Sequence, residues 1–299
     1  VQIIVSKLRG NSHLQGVLYM LVAMFALATM DAVAKYLVHD RYDPVQILAM
    51  RGWIILIVML VYYSTRKRLY KLKPTKPLSQ MARGAFGFLA PYFFFKSLQI
   101  LPLADATVIF FSSTFMVTAL SALVLKEKVG WHRWSAVVVG FIGVIIAMNP
   151  EGEGDLIGYL YCLLGSISYS VLFISGRWLS RTESVDSLVF GFNLSLTIVG
   201  TILTPWVYQS VHLVDFWPMI AFAALALIGH FFITHAFSLS DVAVIAPLEY
   251  TALIWAVLWG YLIWADVPSP QVILGAAIVI GCALFVVYRE ARAARVTKA

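Results

Sequence analysis

The sequence predicts an all-α polytopic membrane protein, ten transmembrane helices arranged as two inverted five-helix repeats. Three observations carry this expectation. Hydrophobic residues make up 61% of the chain and charged ones only 12%, with a mean hydropathy of +0.85. Too few polar residues remain to cover a soluble body of 299 residues, so its solvent is expected to be lipid. Apolar runs of about 20 residues, the length a spanning helix needs, recur along the chain. The chain also resembles itself at a shift close to half its length.

The spans are expected at 14–38, 45–64, 79–101, 104–125, 134–149, 156–178, 187–205, 216–238, 243–264 and 271–288. Turn chemistry separates them in HDRYDP (39–44), LPLAD (101–105), NPEGEGD (149–155) and ADVPSP (265–270). The first run is too long for a signal peptide and has no small-residue cleavage site behind it, so it is expected to be retained. The chain opens at Val1 and not Met, as a processed or trimmed chain would. No linker or soluble domain interrupts the series. Cys162 and Cys282 lie far apart, each inside an apolar run, so neither a disulfide framework nor a metal site is expected.

Loop charges orient the spans. An even number places both termini on one side. On that side fall Lys7, Arg9, Arg66, Lys67, Arg68, Lys71, Lys73, Lys76, Lys126, Lys128, Arg133, Arg181, Arg289, Arg292, Arg295 and Lys298. The other side has Arg41 alone and three acids in NPEGEGD. The positive-inside rule then makes both termini cytoplasmic, in a cell inner membrane, with 289–299 as a basic cytoplasmic tail. The bases are scattered over every inner loop, which argues against a nucleic-acid surface.

At a shift of 142, LQGVLYM (14–20) falls on LIGYLYC (156–162) and AKYL (34–37) on GRWL (176–179), so Lys35 meets Arg177. At 139, KSLQILPLA (96–104) falls on HAFSLSDVA (235–243), and Lys96 meets His235. Five spans per copy is an odd number, so the copies, 14–149 and 156–288, must lie inverted in the membrane. Secondary transporters are built this way, with a site near the midplane between the halves.

The layout, and the way the fourth span ends in LVLKEKVGWHRW (123–134) before a glycine-containing fifth, resemble the drug/metabolite transporter superfamily, as two EamA domains. The likeness covers nearly the whole chain. It implies an acid after the fourth span of each half, Glu127 and Asp266. The proline usual before that acid is replaced by Thr114 and Leu253, with Pro247 earlier, which weakens any subfamily assignment. The resemblance implies transport of amino acids, nucleoside-like compounds, riboflavin, polyamines or toxic organic molecules, so it sets the class and not the cargo.

Ionisable residues at membrane depth are costly and mark sites or partners. Asp31, Lys35, Arg51 and Lys96 fall in the outer halves of their spans and could form one outer cluster. Their inverted counterparts are Arg177, His235 and Glu249 in the inner half, with Asn193 matching Arg51. Two plainer readings stay open. Asp31 and Lys35 can pair at i, i+4, and Lys35 and Arg177 can snorkel to the interface. Arg51, in ILAMRGWIIL, has no carboxylate nearby in sequence and must turn inward. Glu249, the deepest acid, is the first choice for proton coupling, with His235 to share the proton and His230 as a core histidine.

Phe111 and Phe115 on the fourth span, and Tyr250 and Trp255 on the ninth, are deep enough to wall a cavity. Tyr62, Tyr63, Tyr70, Trp131, Trp134, Trp206, Trp264 and Tyr288 fit interfacial belts. Small residues in GFIGVIIA (140–147) and GAAIVIG (275–281) suggest close helix contacts, internal or across an oligomer. The interior is basic by about two charges before His, so an anionic or zwitterionic small molecule is expected. Amino acids and related carboxylates come first, larger aromatic or nucleoside-linked compounds second. No cofactor is expected. An intramembrane enzyme would need H-E-x-x-H, G-x-S-x-G or a comparable constellation, and a channel a filter motif; neither occurs.

Overall fold

The protein is described by a computed structural model over residues 2–127, 129–149, 155–240 and 242–296, with backbone alone for 2–13, 242–243 and 290–296. The basic residues Lys7, Arg9, Lys128, Arg292, Arg295 and Lys298 and the acids Glu151 and Glu153 lie outside the described side chains.

Among the described residues all regular structure is helical. The order is α1 (Gln2–Val38), α2 (Pro44–Thr65), α3 (Pro77–Leu98), α4 (Leu103–Phe110), α5 (Ser112–Val124), α6 (Trp131–Met148), α7 (Leu156–Leu179), α8 (Val185–Val207), α9 (Phe216–Leu239), α10 (Val242–Ile245), α11 (Thr251–Trp264) and α12 (Pro270–Val296). Among the described residues, with α4 and α5 taken as one span, 9 segments are long and apolar enough to cross a membrane. The more polar α3 completes ten. Its 22 residues rise ~33 Å, and Gln80, Arg83 and Lys96 each find a polar partner on a neighbouring element.

Helix starts follow from capping chemistry. Asp43 accepts from the Val45 amide before Pro44 opens α2, Asp155 caps α7, and Ser184 caps α8. Two spans expected to be continuous are broken. In the ninth, α10 gives way to a 3-10 turn over Ala246–Tyr250 before α11; Pro247 removes a donor there and crowds the preceding turn. In the fourth, no proline acts. The helix tightens at Phe111, where the Thr114 amide donates to the Phe111 carbonyl, a three-residue step.

α1 packs on α9 and α11, and α7 on α3 and α5; α2 packs on α8, and α6 on α12. Exchanging α1–α6 with α7–α12 turns each pairing into another of the set or into itself. Gly140 and Gly143 of the fifth span and Gly275 of the tenth pack inside the chain, while a Cβ on Gly281 would meet nothing within 4 Å. A Cβ on Gly275 would lie 2.5 Å from the Gly143 carbonyl oxygen. Below, the face carrying the start of α1 and the end of α12 is the terminal face.

Candidate functional site

Arg51 lies about two turns into α2, buried in the bundle and only 5% exposed. Its guanidinium stands 5.4 Å from the centre of the Phe222 ring on α9. Asp31 of α1 and His230 of α9 share its electrostatic surroundings. The Arg51 Nε is buried without a hydrogen-bond partner. Asn193 of α8, the residue that the 142 shift superimposes on Arg51, is equally buried. Its Nδ2 donates to the Val189 carbonyl at 2.9 Å, and its Oδ1 is unpaired. Repeat-matched positions thus hold one buried donor and one buried acceptor, both left open. Such atoms cost roughly 1–3 kcal/mol each and mark places where something else completes the bonding.

Close backbones bring these positions to one interface. A Cβ on Gly52 would strike the Thr197 hydroxyl, and one on Gly200 would sit 2.9 Å from the Ala49 Cβ. His230 lies midway along α9 and Tyr169 midway along α7, and over a third of each residue is exposed. Glu249 shares the surroundings of Tyr169 and lines a cavity of about 120 Å³ with Thr114, Thr118, Arg133 and Tyr250. The rings of Phe111 and Tyr250 meet at 5.0 Å, so the two interrupted spans touch at their breaks.

The expected outer cluster of four is divided. Asp31 and Arg51 stay together. Lys35 turns instead to Asp266 at 2.9 Å, with the Trp264 ring 4.6 Å from its Nζ, so the i, i+4 pair with Asp31 does not form. Lys96 pairs at 2.8 Å with Asp43, the cap of α2. Arg177 pairs with Glu127 at 2.9 Å. His235 is exposed, bonded to the Phe231 carbonyl and tilted against the Phe231 ring, and does not join Glu249. His230, expected in the core, is the histidine near the charged pair. Phe115 packs on Gly140 and Phe141, and Trp255 on Phe25; of the four aromatics only Phe111 and Tyr250 meet.

Some polar anchors carry no sequence signal strong enough to find them. Asp215, fully buried at the start of α9, accepts from Arg41 at 2.7 Å and from the hydroxyls of Tyr42 and Tyr36. On the terminal face Glu183 accepts from the Thr75 and Lys76 amides and the Ser187 hydroxyl. Burial would raise the Glu183 carboxyl, but these hydrogen bonds outweigh it and hold the group below the usual carboxylate range.

Residues 14–149 match the model of the EamA-like transporter family. Over that stretch the chain resembles EamA-type transporters of the drug/metabolite superfamily. It is 27% identical over 286 residues to the S-adenosylmethionine uptake transporter of Rickettsia conorii, covering 95% of this chain and 96% of the relative. To the pseudopaline exporter of Pseudomonas aeruginosa strain UCBPP-PA14 it is 26% identical over 272 residues, covering 89% and 93%. One crystal structure superimposes with a TM-score of 0.63 over 95% of this chain and 98% of its own, at 18% identity, a likeness of fold alone. The family match, the relatives' names and the long apolar helices together support an integral membrane protein with a transport role for small metabolites.

Proposed function

We propose that this chain is an EamA-type transporter that carries small metabolites bearing a carboxylate, amino acids and related zwitterions foremost, by alternating access between the repeats 14–149 and 156–288. The observation that carries the reading is the unpaired, buried Nε of Arg51 beside Asp31. A planar guanidinium takes a carboxylate in two parallel bonds. Asp31 is then placed to meet an ammonium group, and the open Oδ1 of Asn193 a further donor. Phe111 and Tyr250 supply an apolar platform at the breaks of the two discontinuous spans.

A second reading, a larger nucleoside-linked cargo, draws on the relative named for S-adenosylmethionine, which is an amino acid joined to a nucleoside. Both readings use the same Arg51–Asp31 end. The termini are assigned to the cytoplasm of an inner membrane by the loop charges. Glu249, in its small cavity near the terminal face, is assigned the coupling proton.

Counterflow in sealed vesicles tests the reading. Labelled amino acids should exchange saturably against unlabelled ones, and the wild-type rate should depend on pH. Glu249→Gln should exchange at a rate independent of pH. A retained pH profile in that variant removes Glu249 from coupling, and exchange of polyamines in preference to carboxylates contradicts the cargo class.

A further inference from the structure

We infer that Lys35–Asp266 and Arg177–Glu127 are reciprocal latches, one closing the path on the face away from the termini and the other on the terminal face. The inference rests on the carrier reading for its meaning, but not on any cargo.

The two pairs are built alike at every level. Lys35 and Arg177, near the ends of α1 and α7, superimpose at a shift of 142, and Asp266 and Glu127 at 139. Each acid follows a non-glycine residue in the left-handed region, Ala265 or Lys126, both at φ 56°. In each turn the acid's amide reaches back six residues, Asp266 to the Gly260 carbonyl at 3.1 Å and Glu127 to that of Ser121 at 3.3 Å. This helix ending folds the chain back and aims the carboxylate at the first helix of the other repeat. α1 packs on α11 and α7 on α5, so each ion pair ties the first helix of one repeat to the interrupted span of the other. In inverted repeats these are the contacts that must part alternately as one face opens and the other closes.

The two latches are not equally shut. Lys35 and Asp266 are 6% and 28% exposed, with Trp264 covering the lysine; Arg177 and Glu127 are 53% and 31% exposed. The ion pair on the face away from the termini is thus the better covered of the two. Each face has a further tie between the repeats, Arg41–Asp215 on that face and Glu183 with the Thr75 and Lys76 amides on the terminal one.

The test uses a single reporter cysteine, His230→Cys, in a chain with Cys162→Ser and Cys282→Ser, reconstituted in sealed vesicles. A membrane-impermeant maleimide is applied from either side, with orientation read from protease access to a C-terminal tag. Lys35→Ala should raise the labelling rate from the face away from the termini by about fivefold or more and lower it from the terminal face. Arg177→Ala should do the reverse. The exchange Lys35→Asp with Asp266→Lys should return rates toward those of the unmodified pair. If Lys35→Ala fails to fold, Asp266→Asn opens the same contact. Rates unchanged in folded variants, or shifted alike from both sides, overturn the inference. No substrate enters this experiment, so a wrong cargo leaves its outcome intact.

Discussion

Arg51 and Lys35 both carry a positive charge into the bundle, yet their surroundings give them different work. Lys35 is satisfied by Asp266 and Trp264, whereas Arg51 retains an open donor. Truncating Lys35 strands a half-covered carboxylate, so Lys35→Ala should cost about 2 kcal/mol in a detergent unfolding measurement. Arg177→Ala, which breaks an exposed pair, should stay within about 1 kcal/mol. Arg51→Ala should leave a folded protein that no longer binds. Arg51→Lys keeps the charge without the fork and should recover only part of the affinity. The charged residues were legible in the sequence because they interrupt apolar runs. Their partners were not. Asp266 was found only through the family resemblance, and Asp43 and Asp215 sit in loops where acids are ordinary. Contact between loops and helices far apart in sequence decided the pairing.

At the scale of elements, ten spans and their turns could be read from hydropathy, but the interruptions only in part. Pro247 announces the break in the ninth span, while the tightening at Phe111 follows no proline and reflects packing against Tyr250. The turns into Asp266 and Glu127 place Ala265 and Lys126 in a conformation that costs an L-residue roughly 1–2 kcal/mol. Ala265→Gly should therefore stabilise the protein by about 1 kcal/mol, visible as a higher melting temperature. The loop holding Glu183 should respond to acid. Its carboxyl titrates lower in the folded chain than in the unfolded one. Its stabilising contribution is thus complete above the ordinary glutamate value of about 4.3 and fades as pH falls through the depressed one. Between neutral pH and about pH 3.5, wild type should lose more stability than Glu183→Gln. Equal losses would show that the loop bonds do not depend on ionisation.

For the whole molecule, the main helix pairings exchange with one another when α1–α6 and α7–α12 are swapped. The α1–α9 contact mirrors α7–α3, and the two ion-pair turns share one geometry. What the sequence left open was how the polar residues divide between holding faces shut and meeting a cargo. That division depends on side-chain reach across the bundle, which periodicity does not report. The account assigns Lys35 and Arg177 to closure, and Arg51, Asp31 and Asn193 to binding. Its central claim is that Arg51 receives a carboxylate. The most direct measurement is thermal stabilisation of the purified protein across amino acids, organic anions, nucleosides, flavins, S-adenosylmethionine and polyamines, in wild type and in Arg51→Ala. A ligand of the folded state raises stability with the logarithm of its concentration above its dissociation constant. The account predicts a shift with carboxylate-bearing compounds that Arg51→Ala abolishes. Stabilisation by polyamines alone, or by carboxylates equally in both proteins, would contradict it.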